Sequence, residues 1–319
     1  MMNRVGWLLL LMVAGHAAAR SPVALTPYVQ TRPDGFYIDW LEGYVGGYGR
    51  RWILHDMQRD KRYARRVRQQ TLDDGRMKVL ATLAGIYLED GRTLIENREV
   101  YEKVRAFVND FPAEDSRVIS GSHLEARMRL PLYGGSGLMA IVLDSGPLGI
   151  QAADGDGPGE AADVVTGLIV DASDLEGEDR PAPALFPRIV DEDGREIYSR
   201  AVGELEAVLT RGLMRYAVMK PGATGSGEEP DPSRPLGPRP LRIKALGTTG
   251  SAHTDLVISR ADGDRVLEAA RNADFLARCH VVTLMDRSER SGAVTIRRRS
   301  NRRKVTPTRP EPEDPNKYH

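Results

Sequence analysis

Polar and apolar side chains alternate along residues 123–132, His123-Leu124-Glu125-Ala126-Arg127-Met128-Arg129-Leu130-Pro131-Leu132. Successive side chains of a strand point to opposite faces of its sheet, so this alternation predicts a β-strand with one buried and one solvated face. The stretch therefore places a half-exposed sheet in the first part of the chain.

Helices and a hairpin are predicted on the N-terminal side of this strand. Two aromatic-rich segments, 36–40 and 44–48, flank Glu42-Gly43 and predict a hairpin. A long helix is predicted over 56–84, with a kink or break at 72–75. A second helix precedes Pro112, because one apolar face is formed by Val100, Val104, Phe107, Val108 and Phe111.

Strands and helices also alternate in the second part of the chain. The Gly/Asp/Pro run Asp154–Gly159 is typical of a linker. After it, apolar runs and turn residues predict strands at 164–170, 185–190, 196–198, 241–246, 255–259 and 279–285. Helices are predicted at 202–219 and 262–277, and a long loop at 221–240.

These elements predict an α+β protein with two α+β domains, each a small mixed sheet covered by helices. The predicted boundaries are a signal peptide at 1–19, an N-terminal domain at 20–150, a linker at 151–163, a C-terminal domain at 164–286 and a disordered basic, Pro-rich tail at 287–319.

The first 19 residues have the order of an export signal. Asn3-Arg4 is followed by a ten-residue apolar run, Gly6–Gly15, and by the small residues Ala17-Ala18-Ala19 before Arg20. A buried N-terminal helix is the alternative. The apolar run is shorter than the ~20 residues that span a bilayer. We therefore expect a periplasmic or otherwise exported mature chain, with no transmembrane segment.

Charge is distributed unevenly. Residues 287–319 carry ten Lys/Arg against four Asp/Glu, whereas residues 20–286 carry 34 basic against 41 acidic groups. The tail either folds back on the acidic body or reaches an anionic surface, and the second is favoured because several charges act together on a membrane. The absence of aromatics at 287–317 argues against nucleic acid. The predicted anionic-surface residues are Arg297, Arg298, Arg299, Arg302, Arg303 and Lys304.

No motif in the sequence predicts a catalytic, cofactor or metal site. The run Asp191-Glu192-Asp193-Gly194 fits a hairpin turn better than a calcium loop, because the further ligands of that loop are missing. The lone Cys279 fits a buried small residue. Six basic residues lie within 59–68, where a solvated helix face is the simplest interpretation.

Several segments resemble those of a bacterial family, the lipoprotein-twenty-like group, which is related at its N-terminal domain to flagellar assembly protein T. The similar segments are 38–40, 105–108, 129–134, 166–172, 187–198, 243–246 and 254–259, and the resemblance covers about residues 36–286. It implies an exported, non-enzymatic bacterial envelope protein, with some relatives in outer-membrane or flagellar-ring assembly. The predicted function is therefore an envelope assembly or scaffold component that acts by binding, with envelope proteins or an anionic membrane surface as its expected partners. An envelope hydrolase whose site is assembled only in the fold is the alternative.

Overall fold

The computed structural model describes residues 25–54, 56–89, 91–119, 121–144, 164–219 and 236–286. The predicted signal peptide, the linker at 151–163, the tail at 287–319 and His55 lie outside these ranges. The described strands are β1 (Leu25–Pro27), β2 (Val29–Thr31), β3 (Tyr37–Asp39), β4 (Tyr44–Trp52), β5 (Asp115–Ile119), β6 (His123–Pro131), β7 (Gly167–Asp171), β8 (Ile189–Asp191), β9 (Glu196–Tyr198), β10 (Arg215–Met219), β11 (Pro240–Thr249), β12 (Asp255–Ile258) and β13 (Val281–Leu284). The helices are α1 (Lys61–Ala84), α2 (Arg98–Asp110), α3 (Leu138–Asp144), α4 (Leu205–Arg211) and α5 (Arg260–Arg271).

The predicted α+β class is confirmed, with strands gathered in two sheets. The first sheet has the order β2-β3-β4-β6-β5 and is antiparallel throughout, not mixed as predicted. Three of its four pairs join strands that follow one another through short turns, and such connections produce antiparallel neighbours. The predicted hairpin is the pair β3–β4.

The alternating stretch forms β6 and has the predicted buried face. Leu124, Ala126, Met128 and Leu130 are buried under α1, which packs across β4 and β6. Glu125 lies on the opposite face and is buried as well, through contacts described below.

Helix α1 is continuous over 24 residues, so the predicted kink at 72–75 is wrong. Gly75 instead allows α1 to approach β4 closely. A Cβ added at Gly49 would lie 2.2 Å from the Thr71 carbonyl oxygen and 2.6 Å from the Gly75 nitrogen. Two glycines therefore let the helix and strand backbones touch. Helix α2 follows the prediction: it buries Val100, Val104 and Val108 and ends before Pro112.

The second sheet has eight strands in the order β1-β10-β13-β7-β11-β12-β8-β9. Strands β10, β13, β7 and β11 are mutually parallel neighbours, while β1, β12 and β9 add antiparallel pairs. The long strand β11 pairs with β7 through its first half and with β12 through its second, and its register shifts between Ala245 and Gly247. Helix α5 packs on β8 and β9.

The predicted helix at 202–219 is wrong in its second half. Helix α4 ends at Arg211, because Gly212 takes a left-handed φ of 76°. The chain then enters β10, whose residues Tyr216, Ala217 and Val218 are buried between β1 and β13. Burial on both faces gives a strand a nearly continuous apolar run, which periodicity does not distinguish from a buried helix.

The two parts of the chain share contacts and a core. Strand β1, from the N-terminal part, pairs with β10 of the second sheet. The rings of Trp40 and Tyr216 meet edge-to-face at 5.5 Å, and one cluster of buried apolar side chains includes residues of both parts. The domain boundaries stay a prediction.

Across the described part of the chain, the helices are too short or too polar to cross a membrane.

Candidate binding face

One face of the first sheet is covered by α1 and the other carries an array of polar and aromatic side chains. In the register of the sheet, Tyr48 stands opposite Arg127, and Arg50 opposite Glu125. Strand β5 places Asp115 beside Arg127 and Arg117 beside Glu125. We call this surface the open face; its residues are Tyr37, Tyr44, Tyr48, Arg50, Asp115, Arg117, Glu125, Arg127 and Arg129.

Arginine and tyrosine side chains are stacked on the open face. The Arg129 guanidinium lies 4.1 Å from the centre of the Tyr44 ring. Arg50 and Arg117 lie 5.9 Å and 5.8 Å from the Tyr48 ring. These distances are within the range of cation–π attraction.

Tyr37 and Tyr44 form the end of the open face nearest the second sheet. Their rings meet edge-to-face at 5.9 Å. Burial, with the hydrogen bond to Tyr37, raises the pKa of Tyr44 to about 12.

Glu125 holds two of the arginines. Its carboxylate accepts a hydrogen bond from Arg50 Nε at 2.6 Å, and Arg117 Nη2 lies 3.7 Å away. The carboxylate is nearly buried, whereas both arginine side chains are more than half exposed. Glu125 thus orders the arginines while leaving their outer N–H groups to solvent or a ligand.

The open face carries a small depression. A depression of about 50 Å³ is lined by Tyr48, Asp115, Arg117, Glu125 and Arg127. That volume suits a few water molecules and is far below the ~300 Å³ of a small-molecule pocket. The face is therefore suited to contact with an extended surface.

Net positive charge characterises the open face. The face contains four arginines and two carboxylates, those of Asp115 and Glu125. One of the arginines, Arg127, forms an ion pair at 3.1 Å with Glu114, the residue just before β5. Strand β5 borders the face as an edge strand whose residues are mostly exposed. Its outer backbone groups are free of sheet partners among the described strands.

The other groups considered in the sequence lie apart from the open face. Asp191 orders the β8–β9 turn, accepting hydrogen bonds from Asp193 N and from Arg195 N and Nε. Cys279 is buried, and burial raises its pKa to about 11. The imidazole of His280 is held between the Thr166 carbonyl and Arg211 Nη1, and burial lowers its pKa. In the described ranges, no three His, Cys, Asp or Glu residues are grouped to hold a metal ion.

The predicted anionic-surface residues, Arg297 to Arg299 and Arg302 to Lys304, lie outside the described residues. The structure instead reveals the open face, which the sequence signalled only in part. The alternation of β6 predicted a solvated face with Glu125, Arg127 and Arg129. The placement of Tyr48 and Arg117 beside these β6 residues depended on the register between strands, which the sequence pattern did not determine.

A comparison with known families matches part of the chain. Residues 167–287 are similar to a bacterial family described as the second domain of Treponema pallidum Tp0624. The matched segment contains β7 to β13 with α4 and α5, so it includes most of the second sheet and none of the open face. No curated protein matches the chain.

Proposed function

We propose that this protein is an exported, non-catalytic component of the bacterial cell envelope that binds an acidic protein partner on its open face. An assembly or scaffold role follows from such binding. The predicted export signal at 1–19 supports the compartment, and the resemblance to the lipoprotein-twenty-like and flagellar assembly T proteins supports the envelope role. The open face is the observation on which the binding function depends.

The chemistry of the open face suits protein recognition. Tyrosine and arginine are enriched among the residues that dominate binding energies at protein interfaces. Tyr44 and Tyr48 are already stacked against arginines, so a partner would immobilise few additional side-chain rotamers. The four arginines favour a partner that presents carboxylates, because guanidinium groups bind them in a bidentate geometry.

The small size of the depression on the open face favours binding over hydrolysis. A hydrolase requires a concave site in which a substrate is enclosed by convergent polar groups. The depression beside Tyr48 is too small for such a substrate. A protein partner needs no cavity, since an interface of ordinary size extends over ~800 Å² on each side.

Site-specific photocrosslinking in the native envelope tests this function. A photoreactive phenylalanine derivative replaces the exposed Arg127 on the open face, and the exposed Glu268 on α5 in a control chain. We expect a discrete crosslinked protein from position 127 that position 268 does not give. Identical products from both positions, or none from position 127, would contradict the proposal.

The captured partner then allows a quantitative test in vitro. Arg129→Glu removes the cation stacked on Tyr44 and reverses its charge, so we expect the Kd to rise about tenfold or more. Arg271→Glu makes the same charge change at an exposed position of α5. Equal losses from the two substitutions would show that net charge, and not the open face, determines binding.

A further inference from the structure

The end of the first sheet exposes large apolar side chains. Leu54 is 76% exposed and Trp52 is 65% exposed, the two highest values among the large hydrophobic residues that the structure describes. Trp52 is the last residue of β4, and Leu54 comes two positions later, after Ile53. We call this region, with the first two turns of α1, the β4–α1 tip; it consists of residues 51–54 and 61–68.

The exposure of these side chains is imposed by the fold. Ile53 N donates to the Ser122 carbonyl at 2.8 Å, and Leu54 N donates to the Tyr63 hydroxyl at 2.7 Å. Ile53 packs against a small core of Tyr63, Val67 and Leu124. Because Ile53 is held inward, its neighbours Trp52 and Leu54 are held outward.

The tip also contains exposed basic side chains. The exposed basic residues of the tip are Arg51, Lys61, Arg62, Arg65, Arg66 and Arg68. Arg66 lies 5.8 Å from the ring of Tyr63. No described acidic residue forms an ion pair with any of the six. The nearest acids in sequence are already engaged, since Asp56 pairs with Arg59 and Asp60 caps the helix.

Helix stability does not explain these cations. The N-terminus of a helix carries partial positive charge, so acidic residues stabilise the first turn and basic residues destabilise it. The first turn of α1 contains no acidic residue and begins with Lys61-Arg62. Lys61 and Arg62 thus lie where basic residues cost the helix stability, which indicates a role outside the fold.

The position of the tip suits contact with a surface. Strand β4 begins at Tyr44, near the second sheet, and extends for about 27 Å to Trp52. The exposed apolar residues lie at the far end of the strand, where the ring centroids of Trp52 and His123 are 3.7 Å apart. This arrangement fits a planar anionic layer better than a protein partner with a complementary pocket.

We propose that the β4–α1 tip docks on an anionic phospholipid membrane. Trp52 and Leu54 enter the interfacial region, where an amphipathic indole is favoured, and the cations of α1 meet the lipid phosphates. Each cation near such a surface contributes about 1 kcal/mol, equivalent to about fivefold in affinity. This proposal uses residues outside the open face and does not depend on the proposed protein partner.

Fluorescence with the full mature chain and vesicles tests the proposal. The mature chain has two tryptophans, of which Trp40 is buried and Trp52 exposed, so a spectral change on binding reports on Trp52. We expect a blue shift with vesicles of phosphatidylcholine and phosphatidylglycerol, and quenching when the phosphatidylglycerol is brominated. Phosphatidylcholine alone should give neither. This readout separates the tip from the tail at 287–319, because attachment through the tail alone would leave Trp52 unquenched and overturn the proposal.

Variants identify the residues that bind. Arg62→Gln with Arg65→Gln should weaken binding to the anionic vesicles about 30-fold, whereas Arg98→Gln with Arg271→Gln, a matched pair of exposed arginines on α2 and α5, should not. Leu54→Ala should reduce quenching of Trp52, and Leu246→Ala, also an exposed leucine, should not. Equal effects of tip and control variants, or binding to an acidic polypeptide or oligonucleotide in place of vesicles, would overturn the proposal.

Discussion

Buried carboxylates order the backbone at several turns of this protein. Asp39 accepts hydrogen bonds from Leu41 N and Glu42 N, at 3.1 Å and 2.8 Å, and burial raises its pKa. Asp255, fully buried, accepts from the backbone and from two side-chain nitrogens of Arg188. These acids satisfy N–H groups that a turn would otherwise leave without partners. Their role is structural.

Asp191 gives the clearest pH dependence. Burial opposes its ionisation, but the hydrogen bonds from Arg195 outweigh burial and hold the pKa of Asp191 below its ordinary value. A carboxyl whose pKa is lowered by folding contributes stability above its unfolded pKa of about 3.9, and this contribution is lost as the pH falls through the folded pKa. Asp191→Asn should therefore lower the free energy of unfolding at neutral pH, and the difference from the wild type should shrink in acid.

Urea unfolding at a series of pH values measures this difference. Asp193→Asn is the control, since Asp193 lies in the same turn but is exposed and pairs only with the exposed Arg260 among described residues. It should change the free energy of unfolding little at any pH. A difference for Asp191→Asn that stays constant down to the most acidic condition would contradict the role of its ionised form.

At the scale of elements, the sequence correctly predicted the strands and helices whose apolar residues recur at a regular spacing. Strand β6 and helix α2 each bury one face, and alternation or an i, i+4 repeat marks such elements. Strand β10 was mispredicted as helix, because it is buried on both faces and has no distinguishing period. Helix α3 was missed, being only seven residues long.

The residues of the open face were likewise predicted only where they belong to a single strand. Residues Glu125, Arg127 and Arg129 were predicted to share a solvated face because they belong to one strand. Their partners Tyr48 and Arg117 come from other strands, and Arg117 is in a segment with no apolar alternation to mark it. Long-range pairing depends on register, which is determined by the packing of α1 on the sheet.

The crossing of α1 over β4 is a precise constraint on that packing. An alanine at position 49 would place its Cβ against backbone atoms of Thr71 and Gly75, which cannot rotate away. Gly49→Ala should therefore destabilise the protein by about 3 kcal/mol, at the upper end of the usual cost of overpacking. Urea denaturation gives the free energy of unfolding.

Gly135→Ala is the matched control for this substitution. No atom lies within 4 Å of the position that its Cβ would occupy, and its φ is not in the left-handed region. We expect a change within about 0.5 kcal/mol of zero, as for most surface substitutions. If Gly49→Ala were equally mild, the helix and strand would be able to separate, and the crossing would not determine the packing.

At the scale of the whole molecule, the two parts of the chain are joined by buried contacts. The Arg215 side chain of β10 donates a hydrogen bond to the carbonyl of Leu41, and its guanidinium lies 4.2 Å from the ring of Tyr133. Tyr87 accepts a backbone hydrogen bond from Leu185 N at 2.9 Å. Each of these contacts would be lost if either part unfolded alone.

These shared contacts predict a single unfolding transition. One hydrophobic core includes residues of both parts. If one part unfolded alone, the apolar surface of the other would be exposed to water, and a half-folded chain is therefore disfavoured. Two probes report on the two parts: the fluorescence of Trp40, buried in the first, and the reactivity of Cys279, the lone thiol, buried in the second. The thiol is protected in the folded chain, where burial also raises its pKa.

Denaturation followed by both probes distinguishes a single unfolding transition from two. Trp fluorescence and pulsed alkylation of Cys279 are measured at the same urea concentrations, and we expect the two midpoints to coincide. A Cys279→Ala chain followed by fluorescence shows whether the thiol reagent itself shifts the transition. Alkylation that begins while the Trp40 signal is still native, or protection that persists after that signal is lost, would mean that the parts unfold independently. In that case the contacts of Arg215 and the pairing of β1 with β10 would join two separately stable domains.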